Sequence, residues 1–138
     1  MSQSNTSKLE INLPETVAAL KAAFENYETA LKANDPATLV NWFWDSPHAI
    51  RYGVAENLYG FDEISNYRSQ KADSGGAPKR NTVRTTITTY GTDFGTTNIE
   101  FLREKSQQLG RQSQTWMRTP EGWRIVAAHV SLNSNNDL

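Results

Sequence analysis

The side chains of this sequence best suited to act on a small molecule are one tyrosine, one arginine and an alternating run of glutamine, tryptophan and histidine. Tyr27 belongs to an apolar stripe with Val17, Leu20, Phe24 and Leu31. A helix gathers residues at these spacings on one face, so the Tyr27 ring points inward. A buried tyrosine hydroxyl needs a partner. That partner is either a backbone carbonyl in the core or a substrate atom to which the phenol donates. Arg51 lies in His48-Ala-Ile-Arg-Tyr-Gly-Val54. Strand alternation puts Ile50, Tyr52 and Val54 on one face and Ala49, Arg51 and Gly53 on the other. Either Arg51 faces water and Ile50 is buried, or a curved sheet keeps Ile50 and Tyr52 on its convex side and sends Arg51 into a cavity. In a cavity its planar fork suits a carboxylate better than a lysine would. Periodicity leaves both open.

Gln112, Gln114 and Trp116 alternate on one strand face, and Trp123, Ile125, Ala127, His129 and Ser131 on a face of the next. Half-polar, half-aromatic faces fit a small-molecule pocket. They fit an exposed sheet face or a wet subunit interface equally well. Trp42, Phe43 and Trp44 form either a cavity wall or aromatic core. Other chemistries lack their residues. Two histidines without cysteine or an HExxH spacing do not make a zinc site. Ser46 and Ser131 lie outside any GxSxG elbow. Gly75-Gly76 and Gly91 read as turn glycines, since neither GxGxxG nor a P-loop is present.

These residues depend on a simple order of elements. The stripe from Val17 to Leu31 predicts a long helix, with Lys21/Glu25 and Glu28/Lys32 pairing on its outer face and Pro14 in its first turn. Asp35-Pro36 reads as the cap and first residue of a short helix through Leu39, Val40 and Phe43. A third helix is expected from Phe61 to about Gln70, with Asp62 and Glu63 at its positive end. Strands are expected at 48–54, 80–90, 94–103, 112–118 and 123–131. Thr119-Pro-Glu-Gly122 supplies the tight turn between the last two. Helices first and a strand meander last is an α+β pattern, and a curved sheet around the long helix buries both.

A chain of 138 residues fits one domain. We expect a tail at 1–10, a domain at 11–133 and a second tail at 134–138. A net charge of −1 with mixed signs gives no basic stripe for nucleic acid and no polybasic membrane patch. No cysteine means no disulfide framework. The polar start lacks the apolar stretch of a signal peptide, and no apolar run reaches bilayer-spanning length. The expected setting is therefore the cytoplasm.

Several segments together resemble the AtzH-type branch of the SnoaL-like superfamily, within the nuclear-transport-factor-2-like fold. They are Tyr27-Glu-Thr-Ala-Leu31, Phe43-Trp-Asp-Ser-Pro47, Arg51-Tyr-Gly53, Gly110-Arg-Gln-Ser-Gln-Thr-Trp116 and Arg118 through Ser131. The likeness spans about Val17 to Ser131 and is most specific in its C-terminal block. It implies a cone-shaped, curved, largely antiparallel (mixed) sheet wrapped around N-terminal helices. It also implies a place in cyanuric acid and nitrogen catabolism, as a decarboxylating amidohydrolase that converts 1,3-dicarboxyurea to allophanate. The family's proposed catalytic pair matches Tyr27 and Arg51. Trp44, Gln114, Trp116 and His129 would then line the substrate cavity. The chemistry needs neither metal nor organic cofactor. The resemblance further implies association with a companion amidase, and the open convex face of such a sheet is expected to be covered by a second copy in a homodimer. The alternative is a non-catalytic small-acid-binding or amidase-associated protein. An isomerase would need a pocket carboxylate, and Asp45 and Asp93 lie on no clear pocket face. His48 and Tyr52 depart from the residues expected in relatives.

Overall fold

The computed structural model describes residues 9–134. The expected tail residues 1–8 and 135–138 lie outside this range. Helix α1, Pro14–Lys32, begins on a proline whose missing N–H is no loss in a first turn. It buries Thr16, Leu20, Ala23, Phe24, Tyr27 and Ala30, so Leu20, Phe24 and Tyr27 of the expected stripe are buried while Val17 and Leu31, at its ends, are only half-buried. Lys21 and Glu25 pair across one turn at 2.8 Å. Glu28 does not pair with Lys32 as expected. It lies beside the inward stripe, close enough to the sheet for Arg80 to capture it. Helix α2, Pro36–Val40, is capped by Asp35, whose side chain accepts from the Thr38 N–H at 3.2 Å.

Strands β1 (Ile50–Tyr52) and β2 (Asn57–Tyr59) form a short antiparallel ribbon. The second of these was not foreseen: three residues are too few to display a period. Gly60, at φ 87°, turns the chain into helix α3, Phe61–Asp73, which runs three residues past the expected end. Strands β3 (Arg80–Tyr90), β4 (Phe94–Arg103), β5 (Leu109–Thr119) and β6 (Gly122–Leu132) then form an antiparallel meander. The turn between β5 and β6 closes on Thr119 opposite Gly122, as predicted. The sheet order is β2-β1-β6-β5-β4-β3, with β1 parallel to β6, so the six-stranded sheet is mixed.

The core lies between the helices and the inner face of this sheet. Leu20, Phe24, Tyr27, Phe43, Ile64, Ile99, Phe101, Trp116 and Ile125 are all buried there. Two glycines allow the close approach. A Cβ at Gly95 would collide with the Leu20 side chain, and one at Gly110 with the Phe101 ring. Among the described residues, no helix is long and apolar enough to cross a membrane.

Two bulges control which residues face inward. In β3 the register slips at Val83. In β6, Thr115 faces Ala127 but Trp116 faces Ile125, so Val126 is the extra residue. One inserted residue flips the face of everything beyond it. Trp123 and Ile125 point inward, then Ala128 does, and His129 is turned out to solvent. The expected alternation from Trp123 through His129 fails for this reason.

Candidate functional site

Arg51 is on the inner face and 6% exposed, the second of the two orientations its strand allowed. It stands in register with Ala128, which in turn faces Gln114. Arg51 Nη1 donates to Glu56 Oε2 at 2.7 Å. The turn that returns Glu56 closes through Gly53, whose N–H donates to the Glu56 carbonyl at 2.8 Å. A Cβ on Gly53 would clash with the Glu56 carboxylate, so glycine is what makes room for this ion pair. Burial alone would raise the Glu56 pKa. The Arg51 guanidinium and the Tyr67 hydroxyl outweigh it and hold the carboxyl below its ordinary value. Tyr67 shifts upward through burial and the facing Glu56 charge.

Tyr67 also serves as a shelf. The guanidinium of Arg51 lies 5.4 Å from its ring centroid and that of Arg68 lies 5.7 Å away. Helix α3 places Ile64 and Arg68 one turn apart on its buried face, and Arg68 is 6% exposed. Its Nε–H meets no acceptor among the described residues. Burial lowers its pKa, the nearby Tyr27 phenol opposes that, and the Arg51 charge reinforces it. Arg68 is therefore electrostatically linked to both members of the expected pair.

These groups border a cavity of about 200 Å³ whose walls include Arg51, Glu56, Tyr67, Arg68, Arg80 and Gln112. Drug-sized ligands occupy clefts of roughly 300–1,000 Å³, so this one suits a smaller polar molecule. Arg80 is already engaged. It makes a two-pronged pair with Glu28 at 2.9 and 3.1 Å and lies over the Phe101 ring. Gln112 Nε2 donates to the same Glu28 at 3.3 Å.

Tyr27 sits one layer deeper. Its ring meets Phe43 and Trp116 edge-on, with centroids at 6.1 and 6.4 Å. Among the described residues no hydrogen bond reaches its hydroxyl, so the core supplies no carbonyl partner. Trp116, fully buried, donates from Nε1 to Thr97 Oγ1 at 3.0 Å, and Thr97 Oγ1 donates to Gln114 Oε1 at 2.9 Å. This relay fixes the orientation of the Gln114 amide and leaves its buried Nε2 donor without a partner.

Tyr27, Gln114 and Trp116 are buried behind the residues that line this cavity rather than in its wall, and the other expected wall residues lie elsewhere. Trp44 lines a separate depression of about 380 Å³ with Phe61, Glu121 and Arg124. The His129 ring lies on the outer sheet face, 5.7 Å from that of Tyr52, which meets Tyr59 at 6.0 Å. Asp93 pairs with Arg118 at the surface. The sequence analysis singled out Gln112 but not Arg68, Glu56 or Tyr67. A signal existed for Arg68, at i+4 from Ile64, and for Glu56, just past a strand-ending glycine.

The Arg51–Glu56 pair predicts a pH dependence. A carboxylate whose folded pKa is depressed stabilises the fold above its unfolded value, and that contribution is lost as pH falls through the folded value. Wild type is expected to exceed Glu56→Gln in stability by about 1 kcal/mol at pH 7. The gap should shrink below the ordinary value of 4.5 as Glu56 takes up its proton. Urea midpoints of both proteins at pH 7 and in acid test this. A gap independent of pH would contradict it.

Known proteins agree with this architecture. A crystal structure of a protein of unknown function from the DUF3225 family of Pectobacterium atrosepticum SCRI1043 is 48% identical, covering 90% of this chain and 95% of that one at a TM-score of 0.84. A cystatin-like fold protein from Burkholderia xenovorans LB400 is 45% identical, covering 91% and 98% at 0.85. A nuclear-transport-factor-2-like protein from Pseudomonas putida KT2440, 10% identical with a TM-score of 0.75, shares the fold. No curated protein matches the sequence. The family model described as AtzH-like matches residues 9–136, nearly the whole chain and every residue of the cavity, and the chain belongs to the AtzH-like family.

Proposed function

We propose that the cavity is the active site of a cofactor-independent decarboxylating amidohydrolase that converts 1,3-dicarboxyurea to allophanate. The observation that carries this reading is the charge of the wall: Arg51, Arg68, Lys71, Arg80 and Arg103 line it with Glu56, and Glu28 behind Arg80 offsets one more charge, which leaves a positive excess. A small, doubly anionic molecule is the ligand such a wall attracts. Arg51 holds one carboxylate in its fork and fixes the planar substrate, a positioning role. The Gln114 amide is a donor for the central urea oxygen. The reacting bond joins a urea nitrogen to a terminal carboxyl carbon. It breaks with its electron pair left on nitrogen, the Tyr27 hydroxyl delivers a proton there, and carbon dioxide leaves. Water then returns a proton to Tyr27. In sum the dianion and one proton give allophanate and carbon dioxide, which hydrates in solution. The proton matters because expulsion of carbon dioxide otherwise leaves a full negative charge on nitrogen.

The proposal retains a homodimer and contact with a companion amidase as expected partners. The alternative, a small-acid-binding or amidase-associated role without turnover, uses the same arginines. Dicarboxyurea loses carbon dioxide unaided, so the test is a rate. Its disappearance is followed by ¹³C NMR with and without protein over a range of substrate concentration. A saturable acceleration over the protein-free rate is expected. A rate equal to that of buffer, together with co-purification with the amidase, would leave the binding role.

A further inference from the structure

The Arg51 guanidinium is already occupied by Glu56, and that of Arg80 by Glu28. Lys71 and Arg103 are only half-buried, so water solvates their charges. Arg68 differs from all four. It is 6% exposed, borders the cavity, forms no ion pair among the described residues, and carries a buried Nε–H with no acceptor there. Leaving a buried charged donor unmatched is costly, and burial without a counter-ion makes the site hold an anion more strongly once one arrives. Its place beside the Tyr67 ring also fixes it relative to Arg51, which lies over the same ring.

We propose that Arg68 binds the second carboxylate of the ligand, so that Arg51 and Arg68 together select a small dicarboxylate over a monocarboxylate. This rests on the reading of the cavity as a dicarboxyurea site and adds to it the residue that measures the length of the molecule. A monocarboxylate reaches one guanidinium and leaves the other unmatched. A dicarboxylate with the same number of chain atoms as dicarboxyurea reaches both.

The test uses glutarate, which has that chain length and does not react, and butyrate, which lacks its second carboxylate. Binding of each to wild type, Arg68→Gln and Arg68→Lys is measured by calorimetry, with circular dichroism confirming the fold. Wild type is expected to bind glutarate about tenfold or more tighter than butyrate. Arg68→Gln should bring that ratio close to one with little change for butyrate, and Arg68→Lys should keep part of it. Should Arg68→Gln fail to fold, the wild-type and Arg68→Lys ratios decide. A wild type without preference overturns the proposal, as does a ratio unchanged in the folded variants. Turnover of dicarboxyurea is scored separately. A ratio that collapses in a protein without turnover upholds Arg68 and removes the proposed reaction. Turnover with an unchanged ratio does the reverse.

Discussion

Arg51→Lys is expected to lower turnover of 1,3-dicarboxyurea by about 100-fold while leaving the protein folded. The substitution keeps the positive charge, so a purely electrostatic role would survive it. What it removes is the planar fork, which donates in parallel to a carboxylate and still reaches Glu56 Oε2 at 2.7 Å. A lysine ammonium at this depth satisfies one partner at a time. With Glu56 and the substrate competing for it, the substrate loses its fixed angle, and a small misplacement of reacting atoms is enough for a loss of this size. Initial rates by ¹³C NMR, beside a thermal melt of each protein, measure this. A folded variant at wild-type rate would remove Arg51 from the mechanism.

Tyr27→Phe is expected to cost more in kcat than in binding. The ring keeps its edge-on contacts with Phe43 and Trp116, each pair contributing about 0.5–1.5 kcal/mol beyond area. The hydroxyl makes no hydrogen bond among the described residues, so its loss orphans no protein group and stability should change little. Loss of a positioned proton donor lowers kcat by about 10²–10⁴-fold, with a much smaller change in KM because substrate is held by the arginines. Steady-state kinetics separate the two constants. A kcat equal to that of wild type would make Tyr27 a core residue.

The sequence settled the orientation of Tyr27 but not that of Arg51. The three-and-four spacing of α1 turned Tyr27 inward with no knowledge of the sheet. Alternation in β1 left Arg51 with two orientations, and in the folded sheet it takes the inner one. Gln114 and Trp116 followed the strict period of β5 and are buried as that period requires. His129 did not follow, because Val126 adds one residue to β6 and turns the next positions over. Nothing in Trp-Arg-Ile-Val-Ala-Ala-His marks that bulge. Arg68 was hidden for another reason. An arginine on a polar-looking helix reads as a solvated face, and its i+4 spacing from Ile64 gained meaning only once α3 turned that face inward. Glu28 was read as an outer-face partner of Lys32 until β3 brought Arg80 beside it. Periodicity set the direction of side chains where an element was long and free of bulges, whereas the charge partners came from elements distant in sequence.

The proposed mechanism requires Tyr27 and Arg51 to meet one bound anion. The most direct measurement is a crystal structure of the wild-type protein with glutarate. The account predicts one carboxylate on the Arg51 guanidinium at about 2.7–2.9 Å and the Tyr27 hydroxyl within about 3.2 Å of the ligand chain. Glutarate bound only outside the cavity, or held by Arg51 with the Tyr27 hydroxyl pointing away from it, would contradict the account.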